Sequence, residues 1–124
     1  MKVFPIQFKP GVPVYEQVLY AARKAIVSGD LKEGDVLPSV RTLSAEYRIN
    51  PNTVQKALAA LRSEGLIESI PGVGNRVAAL PEASRRDTLR LLGEDLEAVV
   101  LRAKQLNLGL DEVRKAIDEH WKKL

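Results

Sequence analysis

The dipeptide Asn50-Pro51 constrains this chain most, because it stops one helix and starts another with almost no room between them. Proline loses no hydrogen bond at the first helical position, and an asparagine before it caps the free N–H groups of the new turn. Upstream, Pro38 opens a short helix in which Val40, Leu43 and Tyr47 are spaced three and four apart. That interval puts them on one buried face, which Ile49 ends. Downstream, Val54, Ala57, Leu58 and Leu61 form an inward stripe on the second helix and turn Asn52, Thr53, Gln55, Lys56 and Ala60 outward.

The outward face is rich in hydrogen-bonding groups and free of carboxylates: between Glu46 and Glu64 the only charged residues are Arg48, Lys56 and Arg62. Such a face approaches phosphates without like-charge repulsion, and amides and hydroxyls at a helix start are the groups that read base edges. On the helix alone, an ordinary solvated surface fits equally well. The continuation favours the nucleic-acid reading. Gly65 ends the helix, Leu66-Ile67-Glu68-Ser69-Ile70 alternates as a strand, Pro71-Gly72-Val73-Gly74-Asn75 turns, and Arg76-Val77-Ala78 returns as its partner. The segment Leu37 to Gly72 therefore holds two helices closed by a tight turn, followed by a hairpin. That is the pattern of a winged helix-turn-helix, whose hairpin lies beside DNA. Glycines at the hairpin tip allow backbone N–H groups close to a phosphate or into a narrow groove, although Gly-Val-Gly alone is also an ordinary tight turn.

Several motifs in register extend this reading. Pro13-Val14-Tyr15-Glu16-Gln17 comes first, followed by Ser28-Gly29-Asp30-Leu31-Lys32-Glu33-Gly34-Asp35-Val36-Leu37-Pro38-Ser39-Val40-Arg41, then Asn50-Pro51-Asn52-Thr53-Val54 and Glu64-Gly65-Leu66-Ile67. Together they resemble the GntR family of bacterial transcription regulators over roughly residues 10 to 79. The short remainder resembles the YtrA subfamily, in which a small helical dimerisation segment stands in place of a large ligand-binding domain. The resemblance implies control of transporter or cell-envelope genes, and it carries DNA contact to Arg41 and to the start of the second helix. Pro71 and Asn75 depart from the family pattern, where a basic or polar residue and a threonine are usual, so the resemblance carries less to the wing.

Charge is divided unevenly. Residues 1–80 hold ten Lys/Arg and seven Asp/Glu, while 81–124 hold nine of each, so the net charge of +3 sits in the first part. Its sign suits a phosphate-binding region, but its size is common among domains with neutral partners. Cysteine is absent, which excludes disulfides, thiol redox chemistry and thiolate metal sites. With no secretory signal and no apolar run long enough to cross a bilayer, the expectation is a cytoplasmic protein without membrane attachment. Enzymatic readings fail on inventory. The sole histidine, His120, stands beside Trp121 and Lys122, no group of side chains has metal-ligand spacing, and Ser39 and Ser44 lack a base in any triad order. No stretch forms a nucleotide-binding glycine loop. Neither catalytic residues, metal nor cofactor are expected.

Residues 1–12 read as an arm that packs Phe4 or Phe8 on the body, with DNA contact by Lys2 and Lys9 as the less favoured alternative. A supporting helix runs from Pro13 to Ser28, with Val14, Val18, Leu19, Ala22, Ala25 and Ile26 inward, a solvated Arg23 and Lys24, and Gly29 as its stop. The stretch from Asp30 to Leu37 is a connector. After Pro81, Leu89, Leu92, Leu96, Val99, Ala103 and Leu106 recur as a heptad seam that needs another apolar surface. A partner helix suits so narrow a seam better than folding back on the reader, and 81–124 is too short for a separate core. Asn107-Leu108-Gly109 breaks this helix, with Asp111 capping a last one that turns Val113, Ile117 and Trp121 inward. An unbroken helix stays open because Leu110, Val113 and Ile117 keep the heptad phase. Pro81 marks a boundary and a candidate hinge at 79–84.

The expected architecture is mainly α with a small β-hairpin: an arm (1–12), a winged helix-turn-helix (13–80) and a helical dimerisation segment (81–124). The expected function is a homodimeric repressor on an inverted-repeat DNA operator, modulated by an effector of unknown identity. The first candidates for base and phosphate contact are Arg41, Asn52, Thr53 and Lys56, with Ser39, Arg48, Asn50 and Gln55 behind them and Gly72 at the wing. The competing expectation is a winged-helix protein-interaction module that binds no DNA. Scarce aromatics disfavour single-stranded nucleic acid.

Overall fold

The computed structural model describes residues 4–79 and 85–124. Five helices and one hairpin follow in the order α1 (Val14–Ser28), α2 (Val40–Tyr47), α3 (Pro51–Ser63), β1 (Ile67–Ile70), β2 (Gly74–Val77), α4 (Arg85–Gln105) and α5 (Leu110–Lys123). They fall into two compact units, residues 1–81 and 82–124. The candidate hinge lies mostly outside the described residues, as does Lys2.

In the first unit α1 and α2 both pack on α3. Val18, Ala22 and Ala25 of α1 meet Leu43 of α2 and Val54, Ala57, Leu58 and Leu61 of α3 in one core, closed by Leu31, Leu37, Ile67, Val77 and Phe4. Removing each Val, Leu or Ile side chain of this set from water is worth roughly 1.5–3 kcal/mol, so this core fixes where the surface of α3 points. Leu19 and Ile26 pack at the margin, as the α1 stripe implies. Val14 does not: it is the first residue of the helix and is 39% exposed.

Both ends of the helix pair are fixed locally. Pro38 is buried but precedes the helix; the cap is Ser39, whose Oγ accepts from the Thr42 N–H at 3.1 Å. Asn50 caps α3 as its sequence implies, with Oδ1 accepting from the Asn52 N–H at 2.8 Å and Pro51 in the first turn. Gly65, at φ +76°, closes α3. Its N–H donates to the Arg62 carbonyl and that of Leu66 to the Leu61 carbonyl, the paired bonds of a Schellman ending.

The hairpin is antiparallel, with Ile67 opposite Val77 and Ile70 opposite Gly74. Its turn is shorter than the glycines imply. Val73 N–H donates to the Ile70 carbonyl across Pro71 and Gly72, and the φ of +76° at Gly72 fits the third position of a type II turn. Gly74 and Asn75 therefore belong to β2 rather than to the loop. The connector is more ordered than its sequence suggests. Gly34 and Leu37 donate to the carbonyls of Val77 and Asn75, Val77 donates back to Asp35, and the backbone of 34–37 thus runs along the free edge of β2.

The arm is tied down too. Phe4 is buried with its ring 5.8 Å from that of Tyr47, and the Tyr47 hydroxyl donates to the Phe4 carbonyl. Burial, with a smaller contribution from neighbouring Glu46, pushes the Tyr47 phenol well above its usual range and keeps it a donor. Phe8 lies 6.1 Å from the same ring but stays partly exposed. Gln17 clamps the arm, its Nε2 donating to the carbonyls of Lys9 and Val12 and its Oε1 accepting from the Lys9 N–H.

In the second unit the helix breaks, which settles the alternative left open by the heptad phase. Asn107 takes φ +58°, Leu108 N–H donates to the Ala103 carbonyl and Asn107 N–H to that of Lys104. Asp111 is not the cap of α5. Gly109 occupies that position, and Glu112 in the first turn accepts its N–H at 3.1 Å. Within the protomer Ala103 is buried and Val113 half-buried, whereas Leu89, Leu92, Leu96, Val99, Leu106, Ile117 and Trp121 are exposed. The inward placement expected for Ile117 and Trp121 is thus not realised inside one chain.

Candidate nucleic-acid interface

The surface of α3 is set by its own stripe. With Val54, Ala57, Leu58 and Leu61 all at most 1% exposed, the helix cannot rotate, and Asn52, Gln55 and Lys56 must face solvent. Thr53 and Ala60 are half-buried, and Ala59 rather than Ala60 completes the exposed side, because position 60 leans towards the stripe. No carboxylate lies within α3. Its positive N-terminal dipole end is on the same side of the turn as Asn50 and Asn52, which favours anions there.

The cations around this helix differ in freedom. Arg41, the second residue of α2, is exposed and enters none of the ion pairs among the described residues. Arg48 is likewise exposed, in the turn between the two helices, where its backbone is left-handed (φ 54°, ψ 48°). Lys56 is held: its Nζ sits 3.9 Å from the centroid of the Tyr15 ring. Arg62 is used inside the fold, donating from Nη1 to Asn75 Oδ1 at 3.0 Å and so tying α3 to β2. Arg76 pairs with Glu68 across the hairpin at 2.6 Å, and Arg23 with Glu64 at 2.8 Å. Arg23 thus stays on the surface, as its sequence implies, and is paired there as a brace between α1 and the end of α3.

Two candidates carry structural duties. The Ser39 hydroxyl is engaged with Thr42, accepting from its N–H and donating to Oγ1 at 3.0 Å, while Asn50 spends Oδ1 on its cap. Gly72 stands at the exposed tip of the hairpin in a conformation that a side chain would strain.

Three participants escaped the sequence reading. Tyr15 belongs to the first motif but had no role until the fold laid its ring under Lys56. Ser44 stitches the turn, its hydroxyl donating to the Ile49 carbonyl at 2.6 Å while the Ile49 N–H returns to the Ser44 carbonyl at 3.1 Å. Asn75 looked like a departure from pattern, yet it is the wing's anchor. A serine four residues into a helix just before a break was the one signal available for Ser44; the other two depend on contacts distant in sequence.

A three-helix reader with a braced hairpin defines the winged helix-turn-helix class. The model for bacterial regulatory proteins of the gntR family matches residues 14–77, which spans all of that unit's helices and its hairpin. The chain belongs to the GntR family: it is a transcription regulator with a DNA-binding fold, not an enzyme. Among curated relatives, the transcriptional repressor YtrA of Bacillus subtilis is 32% identical over 117 residues, covering 92% of this chain and 90% of that protein. A transcriptional antiterminator from Listeria monocytogenes, solved by crystallography, superposes with a TM-score of 0.83 at 29% identity, over 96% of this chain and 90% of the other. The DNA-binding domain of AraR, solved in complex with operator ORX1, matches with a TM-score of 0.56 at 25% identity, over 63% of this chain and all of that one. Among the described residues no helix is long and apolar enough to cross a membrane.

Proposed function

We propose that this protein is a cytoplasmic, homodimeric repressor that binds an inverted-repeat operator, one α3 to each half-site. The observation that carries the reading is the flank of α3. Asn52, Gln55 and Lys56 are exposed on a helix whose opposite side is sealed in the core, with no carboxylate along its length. The side-chain amides of Asn52 and Gln55 suit base edges, while Lys56, Arg48 and Arg41 suit phosphates or, for Arg41, a guanine. Thr53 lies at the margin of the same surface. Ser39 and Asn50 cap the two helices, and the backbone of Gly72 brings the wing tip to the duplex.

Dimerisation through residues 81–124 is supported by the apolar side chains that α4 and α5 leave uncovered. A two-fold pair presents two copies of α3, and the operator mirrors that symmetry. Repression is supported by the likeness to YtrA of Bacillus subtilis, and binding to an operator by the likeness to the AraR domain. Occlusion of a promoter is the mechanism, with target genes for transport or the cell envelope.

The test is selection of bound duplexes from a random pool with the full chain, followed by titration in salt. Two inverted half-sites and a steep loss of affinity with ionic strength are expected. Failure to enrich any duplex would identify a docking module instead.

A further inference from the structure

We infer that Tyr15 is a positioning residue for DNA binding, holding the Lys56 ammonium over its ring so that the charge is already in place when a phosphate arrives; this rests on the function proposed above. Tyr15 is the second residue of α1 and Lys56 lies in the second turn of α3, so the contact spans two helices that the core locks together. The Nζ stands 3.9 Å from the ring centroid, well inside the range of a cation–π contact. The ring is half-buried and so fixed, whereas Lys56 is exposed, and its ammonium keeps N–H groups for a second partner. The phenol is turned to Glu16, whose Oε1 accepts its hydroxyl at 3.4 Å. What Lys56 needs from Tyr15 is therefore the face of the ring rather than the oxygen.

A free lysine gives up most of its rotamer freedom when it docks on one phosphate, and a ring that restricts it beforehand lowers that loss. The alternative, that the ring sequesters Lys56 away from DNA, makes the opposite prediction for removal of the ring.

The experiment is a double-mutant cycle on the full chain with Tyr15→Leu and Lys56→Gln, plus Tyr15→Phe as the conservative variant. The probe is a duplex selected from a random pool by the parent protein, titrated at several salt concentrations. Tyr15→Leu is expected to weaken binding about two- to fivefold per protomer, the effect of returning to Lys56 part of the rotamer freedom that the ring removes beforehand. Tyr15→Phe should bind like the parent. Lys56→Gln should lower the slope of log K against log salt by roughly 0.9 per protomer, and Tyr15→Leu should have no further effect once Lys56 is gone. In the free protein, Lys56 ε-methylene protons should be shifted upfield by the ring in the parent and in Tyr15→Phe, and not in Tyr15→Leu.

Equal losses for Tyr15→Leu with and without Lys56, or tighter binding by Tyr15→Leu, would overturn the positioning role while leaving DNA binding intact. Absence of ring-shifted protons would overturn the contact itself. A parent that binds no duplex would remove the proposed function and this inference with it.

Discussion

Replacing Arg48 separates a cost in stability, which its backbone shows, from the DNA contact proposed for its side chain. Its backbone sits at φ 54° and ψ 48°, where an L-residue crowds its own Cβ against the following carbonyl. The conformation is imposed by what surrounds it: Ile49 must turn back to pair with Ser44, and Asn50-Pro51 must start α3. Left-handed backbone costs about 1–2 kcal/mol for a residue with a side chain. Glycine removes that cost but adds about 0.5–1 kcal/mol of unfolded-chain entropy relative to alanine. The balance for Arg48→Gly is a gain of about 1 kcal/mol or slightly less, which raises the melting temperature of a domain this size by roughly 4–8 °C per kcal/mol.

Arg48→Ala is the control, since it deletes the same charge and keeps the strained backbone. Urea unfolding at fixed protein concentration should rank glycine above both arginine and alanine. DNA binding should move the other way. Both variants lose the cation, and each should lower the salt slope by roughly 0.9 per protomer if Arg48 meets a phosphate. A glycine variant no more stable than the alanine variant would refute the strain argument. An unchanged salt slope would remove Arg48 from the interface.

Three further substitutions probe other parts of the account. Arg41→Ala should weaken binding to a selected duplex by about 1–3 kcal/mol while barely affecting random DNA, as competition titrations will show; equal losses on both would make it a phosphate contact. Leu58→Ala opens a hole at a fully buried site of the α3 stripe and should cost about 2–5 kcal/mol in denaturant unfolding; a cost below 1 kcal/mol would mean the stripe is not what holds the helix. Ser44→Ala removes the hydroxyl bond across the turn and should cost about 1 kcal/mol, with faster amide exchange at Ile49 as the local sign.

The helices were legible because their signals are local. The stripe on α3, the Asn50 cap and the glycine stops at 29 and 65 all lie within a few residues of their effect, whereas the heptad phase running through Leu110, Val113 and Ile117 left open the break that the structure places at Asn107. Where local signals compete, the reading slipped. Gly74 and Asn75 looked like loop because glycine and asparagine favour turns, yet pairing with β1 and with residues 34–37 draws them into a strand. Asp111 looked like a cap by type, but Glu112 reaches back to Gly109 from the third position of the turn.

The candidate site shows the same division. Which side of α3 faces out follows from periodicity, so the exposure of Asn52, Gln55 and Lys56 was legible, while Thr53 and Ala60 at the edge of the stripe are half-buried. Contacts between residues far apart in sequence were invisible: Tyr15 under Lys56, Arg62 with Asn75, and Arg23 with Glu64 join segments 13 to 41 residues apart. Those contacts decide which cations stay free for a partner and which are spent on the fold.

The most direct measurement is an NMR titration of the full chain with a selected duplex, following the side-chain amides of Asn52 and Gln55. They should shift strongly and saturate at one duplex per two chains, while the amide of Gln105 in α4 stays unchanged. Unmoved Asn52 and Gln55 signals in a protein that binds the duplex, or saturation at one duplex per chain, would contradict the paired reading of the two grooves.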